Sequence, residues 1–315
     1  MSERPGAPAD GSAPAVSVVI PTYNRAERVG RAIDSVLHQR FAEFEVLVVD
    51  DGSTDDTAAV LEGYDDERVR YVRQENAGAN AARNRGIEES EGEFVSFLDS
   101  DDELHPEHLE AVVEALREEP PECAGVATAY RKCRDGEAVD VIEAHEGRIT
   151  SEEIADANVV GGFSCTTFRR AVFDDVGLLN AELASSQDYE FFLRALTAGY
   201  YMVGIDRALV DYHVHGEQIT TDVERRIEGQ EYLLAEYGDV ITDKRRAQQR
   251  YMRGRLYADR GETSKAAREF REAIALDPTY YLYYHQYLGA LSGKRGYDLV
   301  EGARKRIKFL LRRLG

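Results

Sequence analysis

Hydrophobic and polar positions alternate along the chain with two different periods. Residues 1–14 (MSERPGAPADGSAP) show no periodicity, are rich in Pro, Gly, Ala and Ser, and read as a disordered leader. Residues 16–20 are β-branched throughout except for Ser17, as in a strand buried on both faces, and that strand is expected to stop at Pro21. Over residues 25–39, Val29, Ile33, Val36 and Leu37 recur at helical spacing. Residues 44–49 predict a second buried strand, followed by Asp50-Asp51-Gly52-Ser53 and a helix capped by Ser53 or Thr54 and running to about Leu61. A short strand at 69–72, a helix of small residues at 78–87, a strand at 94–98 closed by Asp99 and a helix opened by Pro106 follow. Weaker strand signals lie at 124–130 and 139–144. Residues 188–198 form a helix pattern with Tyr189, Phe192, Leu193 and Leu196 on one face, and beyond about Glu224 the pattern is helical and strandless.

Strands alternating with helices predict an α/β domain with a mostly parallel central sheet flanked by helices, and an all-α C-terminal extension. Ligands of such sheets sit outside the carboxyl ends of the strands. Three segments occupy such ends: Pro21-Thr22-Tyr23-Asn24, Asp50-Asp51-Gly52-Ser53 and Asp99-Ser100-Asp101-Asp102. Asp99 and Asp101 stand two apart after a strand. In extended backbone their carboxylates point the same way and can converge on one hard cation, Mg²⁺ or Mn²⁺. The same residues could instead form an acidic capping loop before Pro106. Asp51 could accept a hydrogen bond from a nucleoside, with Tyr23 against its ring, or Asp50–Ser53 could be a plain turn.

Charge adds a second theme. The net charge is −20, with 43% hydrophobic residues supporting a packed core. Only six of the 39 basic residues are Lys. An acidic, Lys-poor surface suits a salt-rich cytoplasm such as a haloarchaeon's, although an ordinary acidic protein could share it. Residues 241–315 hold 18 Lys and Arg against 8 Asp and Glu, a net +10, which leaves −30 for residues 1–240. That acidic body repels phosphate backbones and argues against nucleic acid as a partner. Cys123, Cys133 and Cys165 lack metal-ligand spacing and read as free thiols of a reducing compartment. No apolar run reaches 18 residues and no export signal is evident, so any membrane contact is expected to be peripheral.

The segments SVVIPTYNR (17–25), VVDDGSTDDT (48–57), NAGANAARNRGI (76–87) and FLDSDDELHP (97–106) resemble, in order and spacing, the signatures of family 2 inverting glycosyltransferases. The resemblance spans about residues 15–220 and implies a GT-A nucleotide-diphospho-sugar transferase fold. It implies donor binding by Pro21, Thr22, Tyr23, Asp51, Asp99 and Arg83, with Asp101 on the metal; for Arg83 and Asn84 a pocket role and loop support both remain open. Ser186-Gln187-Asp188-Tyr189-Glu190 resembles the segment that usually reads Glu-Asp in this family, which makes Asp188 the catalytic base and Gln187 a departure. That departure removes a like charge beside the base. Tyr212-His213-Val214-His215 resembles the late histidine loop, with His215 the better match for the metal site and His213 the alternative.

The expected organisation is a leader at 1–14, a GT-A domain at 15–224 and a helical region at 225–315. Residues 246–278 resemble one tetratricopeptide helix pair, with Ala266, Phe270, Ala273 and Pro278 in place, or form an ordinary helical hairpin; one repeat cannot bury its own face, so docking on the catalytic domain or on a partner chain is expected. The basic, apolar end (302–314) suits the surface of an anionic membrane, or an interdomain helix against the acidic body. The combined expectation is a cytoplasmic, metal-dependent, inverting transferase at the inner membrane face. It would use a nucleotide-sugar donor, a UDP-sugar by preference, and a lipid-linked or phosphate-bearing acceptor. By analogy with salt-loving archaea the acceptor is dolichyl phosphate in surface-protein glycosylation. A nucleotidyltransferase would need a Gly-rich triphosphate loop that PTYNRAERVG lacks, and a non-catalytic scaffold would act through the helical tail alone. Deleting residues 300–315 is expected to move the protein from membrane to soluble fractions, as read by fractionation and immunoblot.

Overall fold

The computed structural model describes residues 13–183, 185–214 and 223–302. They divide into two compact units, one within Met1–Ile154, Asn158–Leu183 and Gln187–Gln218, the other within Ala155–Ala157, Ala184–Ser186 and Ile219–Gly315. The chain runs β1 (Val16–Thr22), α1 (Val29–Leu37), β2 (Phe44–Asp50), α2 (Thr57–Glu62), β3 (Val69–Arg73), α3 (Ala79–Glu89), β4 (Phe94–Phe97), β5 (Glu103–Leu104) and α4 (His108–Glu118). It continues through β6 (Cys123–Arg134), β7 (Glu137–Ile142), β8 (Gly147–Ile149), α5 (Ser151–Asp156), β9 (Thr166–Arg169), α6 (Ala171–Val176), α7 (Gln187–Thr197) and β10 (Tyr201–His213). Helices α8 (Val223–Glu236), α9 (Asp243–Asp259), α10 (Thr263–Leu276) and α11 (Tyr281–Leu291) follow, and residues 293–302 are helical again.

The first unit is built on one mixed sheet in the order β3-β2-β1-β4-β9-β6-β10-β5, with β7 on β6 and β8 on β10. β3, β2, β1 and β4 pair in parallel, and β6 pairs in parallel with β10. Antiparallel β9 bridges these two sets, so the six long-range strands share one direction and present their carboxyl ends along one edge. Val16, Val18 and Ile20 of β1 pack with Ile33, Val36 and Leu37 of α1 and Leu109, Val112 and Leu116 of α4 on one face. On the other face α3 lies close against β1, because a Cβ on Gly86 would come within 2.3 Å of Val19. Helices on both faces explain why β1 and β2 are buried along their whole length and mostly apolar, with Ser17 donating to Glu45 between them at 2.6 Å.

Several boundaries differ from the sequence expectation. β1 passes through Pro21 and pairs it with Val49. Val19 O accepts from Leu98 N, on the β4 side, so Pro21, two residues on, faces the same side after β4 has ended at Phe97. No ladder bond is lost there, which is why proline is tolerated. α2 starts at Thr57 rather than after Ser53, since Asp55 receives the Thr57 N–H at 3.0 Å. Ser53 and Thr54 instead bind Asn24: its N–H donates to Ser53 Oγ (2.9 Å) and its Oδ1 accepts from Thr54 N (2.8 Å). β6 extends to Arg134, and β5, β8, β9, α5 and α6 are too short to show a period.

In the second unit, Ala266, Phe270 and Ala273 of α10 are fully buried against α9, where Gly254 admits the Phe270 ring. Tyr283 of α11 and Tyr297 join the same cluster. The face that one helix pair leaves open is thus covered in part by the next two helical stretches of this unit. No helix among the described residues is long and apolar enough to cross a membrane. The basic stretch beyond residue 302 lies outside the described residues.

Gly125 on β6 tests the bridge made by β9. A Cβ there would meet Thr167 O at 2.5 Å and the Phe168 ring at 2.8 Å. Gly125→Ala is expected to lower stability by about 1–3 kcal/mol, read as a lower urea midpoint at unchanged slope.

Candidate active site

The edge formed by the ends of β1, β2 and β4 gathers residues far apart in sequence. Pro21 and Thr22 are buried at the end of β1, and Tyr23 is 45% exposed beyond it. Thr22 Oγ1 is buried with no hydrogen-bond partner among the described residues.

Asp51 follows β2 and is buried at 3% exposure. Its Oδ1 accepts from Gln74 Nε2 (2.8 Å) and Ala77 N (2.9 Å), and its Oδ2 from Gly78 N (2.8 Å). The carboxylate therefore holds the β3–α3 loop to the sheet edge and keeps little acceptor capacity beyond that. Gly52, at φ +81°, makes the turn that allows this approach.

The convergence expected of Asp99 and Asp101 occurs, by a different geometry. Asp99–Asp102 is a turn closed by Asp102 N donating to Asp99 O at 3.0 Å, not an extended strand. The turn brings a third carboxylate in: oxygens of Asp99, Asp101 and Asp102 all lie within 4.8 Å of one another. Asp102 is buried at 1% exposure, with Oδ2 accepting from Ser164 Oγ (2.6 Å) and Oδ1 from the His213 N–H (2.9 Å). Burial, then the neighbouring Asp99 and Asp101, pushes its carboxyl well above the usual range, against those two donors. Three hard oxygen donors so crowded match a small divalent cation.

Arg83 of α3 joins this trio to the helix carrying Asp188. Its Nη2 donates to Asp99 Oδ1 (2.5 Å), and its Nη1 to Asn80 Oδ1 (3.1 Å) and Gln187 Oε1 (3.4 Å). The guanidinium lies 4.7 Å over the Phe163 ring. Asn84, the next residue, is bonded to the Leu179 backbone on both sides of its amide: Leu179 N donates to its Oδ1 (2.9 Å) and its Nδ2 donates to Leu179 O (2.8 Å). Asp188 stands in the first turn of α7, partly buried, with Oδ1 accepting its neighbour Tyr189's N–H at 2.7 Å. Burial raises its carboxyl above the ordinary value, opposed by that N–H and by Arg83 and assisted by Asp99. Tyr130, whose phenol burial and the carboxylates hold up at about 12, packs on Tyr212 at 5.7 Å.

His215 lies outside the described residues. His213 meets the trio through its main chain, while its ring Nε2 is 3.0 Å from Glu103 Oε1. Sequence reasoning missed Asp102, Ser164 and Tyr130. Asp102 was visible in the DSDD run, but only the turn shows that it points inward.

The model of the family described as glycosyl transferase family 2 matches residues 17–177, half of the chain. The chain belongs to glycosyl transferase family 2. This glycosyltransferase is 30% identical over 214 residues to the putative teichuronic acid biosynthesis glycosyltransferase TuaG of Bacillus subtilis, covering 66% of this chain and 82% of TuaG. It is 39% identical over 124 residues, 38% of each chain, to the GalNAc(5)-diNAcBac-PP-undecaprenol beta-1,3-glucosyltransferase of Campylobacter jejuni. The crystal structure of S. aureus TarS 1-349 in complex with UDP-GlcNAc superposes with a TM-score of 0.65 at 20% identity, over 92% of this chain and 91% of that one. With the mixed sheet, its flanking helices and the C-terminal helices, this is a GT-A fold.

Asp51→Ala would leave three donors of the 74–78 loop unsatisfied. It is expected to cost about 3 kcal/mol in the urea midpoint and to speed amide exchange at Ala77 and Gly78, with charge-assisted bonds contributing most.

Proposed function

We propose that this family 2 glycosyltransferase moves a sugar, with inversion, from a nucleoside-diphosphate donor to a lipid-linked or phosphate-bearing acceptor. The observation that carries the reading is the Arg83 bridge, which puts the Asp99–Asp102 trio and Asp188 in one electrostatic unit. A UDP-sugar is the donor this reading favours, from the UDP-GlcNAc bound by the TarS neighbour. The undecaprenol-linked substrate named for the Campylobacter relative supports a lipid-linked acceptor. Work at the inner face of a membrane, on a polyprenyl carrier such as dolichyl phosphate, belongs to the same proposal.

Tyr23, half-exposed beside buried Pro21 and Thr22, lies against the nucleoside, and Asp51 acts by fixing the loop that frames it. Asp99 is the ribose-side ligand, oriented by Arg83. Asp101, with Asp99 and Asp102 beside it, would hold a divalent cation, Mg²⁺ or Mn²⁺, which would offset charge growing on the leaving diphosphate. Asp188 accepts the proton of an acceptor hydroxyl as its oxygen attacks the anomeric carbon from the opposite side. Its raised carboxyl places that base nearer neutral pH, and the neutral Gln187 leaves the Arg83 charge for Asp99 and Asp188.

Slow hydrolysis across a panel of nucleotide sugars, with and without Mn²⁺, tests the donor half. One UDP-sugar is expected to turn over in a metal-dependent way that Asp101→Asn abolishes. Absence of both turnover and metal-dependent UDP binding would leave only the scaffold reading.

Asp188→Asn tests the acceptor half. Because the base must be deprotonated, transfer to a hydroxyl should fall as pH drops through the raised Asp188 value and be level above it. The variant should lose about 10²–10⁴-fold of kcat while retaining donor binding. A loss below tenfold would overturn Asp188 as an essential base, as expected for a phosphate acceptor, which needs little deprotonation.

A further inference from the structure

Gly161 and Gly162 stand side by side in the loop between α5 and β9, and the backbone demands only the first of them. Gly161 has φ +98°, in the left-handed region that favours glycine. Gly162 has φ −109° and ψ 176°, extended backbone that any residue adopts. Packing does not demand a glycine at 162 either. Apart from its chain neighbours, the one atom among the described residues that a Cβ there would approach within 4 Å is Asp188 Oδ2, at 3.8 Å, an ordinary van der Waals distance. The fold would accept a side chain at 162. What that side chain would take away is the space in front of Asp188.

That space has defined walls. Asp188 Oδ1 is engaged by the Tyr189 N–H, while Oδ2 has no hydrogen-bond partner among the described residues and is the oxygen left for a ligand. Asn158 pins the loop, donating from Nδ2 to Gly161 O (2.9 Å) and accepting at Oδ1 from Val160 N (3.2 Å) and Gly161 N (3.3 Å). Cys165 N donates to Gly162 O at 3.1 Å, and Ser164 holds Asp102, so one short segment runs from the base to the carboxylate trio. The Tyr130 ring stands 3.5 Å from the Cβ position of Gly161. The charges around the space select what enters it. Asp188, Asp99 and Asp102 are acids and the Tyr130 phenol is neutral. Among the described residues the cation acting on Asp188 is Arg83, which is already bonded to Asp99, Asn80 and Gln187. A phosphate entering there would face carboxylates, whereas a hydroxyl donates to Oδ2 and needs no cation.

We propose that Gly162 is a specificity-determining residue, whose bare backbone leaves the slot in which a neutral, hydroxyl-bearing acceptor sits against Asp188 Oδ2. An acceptor oxygen must come within about 2.6–3.2 Å of the base. A methyl group 3.8 Å from that same carboxylate oxygen would stand in the way of the carbon behind the hydroxyl. The inference rests on Asp188 as the base of the proposed function and narrows the acceptor of that reading to an alcohol.

Cys123, Cys133 and Cys165 are buried, so Gly162→Cys in the full-length chain adds one accessible thiol, placed in the slot. With UDP and Mn²⁺ present, the neutral hydroxyethyl methanethiosulfonate should modify it at least tenfold faster than the anionic sulfonatoethyl reagent, each rate taken relative to a free thiol. The hydroxyethyl adduct should lower nucleotide-sugar hydrolysis at least tenfold below that of the unmodified variant, with UDP affinity unchanged. Gly162→Val should lower kcat more than Gly162→Ala does, and Gly162→Ala should keep the wild-type urea midpoint and UDP affinity, which a merely structural role for residue 162 would move. An unreactive thiol, equal relative rates with the two reagents, or an adduct as active as the unmodified variant would overturn the proposal. So would a loss of UDP affinity on modification, which would give the slot to the donor. A wild-type enzyme that hydrolyses no nucleotide sugar removes the catalytic reading itself, whereas hydrolysis that the adduct leaves untouched removes this inference alone.

Discussion

Three carboxylates forced within 4.8 Å of one another are the constraint around which the catalytic unit is organised. At an effective dielectric near 20, two like charges at that separation repel by about 3 kcal/mol, so the trio cannot be held for nothing. The fold opposes the repulsion from three directions. The turn bond of Asp102 to Asp99 fixes the backbone, Ser164 and the His213 N–H grip the buried Asp102, and Arg83 faces Asp99 with its positive charge. A bound divalent cation would reverse the sign of the problem; without one, burial first and then Asp99 and Asp101 hold the Asp102 carboxyl above the usual range.

Those supports come from different elements packed on or ending the sheet, which ties the site to the topology. Ser164 precedes β9, the antiparallel strand that joins the two parallel sets, and His213 ends β10. Arg83 is on α3, which approaches β1 closely because residue 86 is Gly, and it rests over Phe163 in an aromatic cluster with Phe97, Phe168 and Phe192. Packing in the core therefore sets the position of charges at the edge. Asp51 shows the same economy, since its carboxylate at the end of β2 is engaged in holding the loop that leads into α3.

Much of this was legible before any coordinates. The buried strands β1, β2 and β4 stand out as apolar runs, helices α1, α4 and α7 by their helical period and α3 as a run of small residues, and the polar ends of the strands mark Tyr23, Asp51, Asp99 and Asp101 as neighbours. Strands β5, β8 and β9 were invisible, since two to four residues carry no period and are held by partners far away in sequence. Pro21 misled for a local reason: a proline reads as a strand end, yet here the missing N–H faces a position where the neighbouring strand has already stopped.

Sequence by itself determined which residues could do chemistry, because carboxylates after apolar strands and a family's ordered motifs are local facts. Tertiary structure alone decided how they are used: that Asp102 turns inward as the third carboxylate, that Arg83 reaches Asp99 while Asn84 holds a loop, and that His213 contributes its backbone. Those assignments depend on contacts between segments 16 to 111 residues apart, set by strand order and by which side of each turn is buried, and no short-range pattern encodes either.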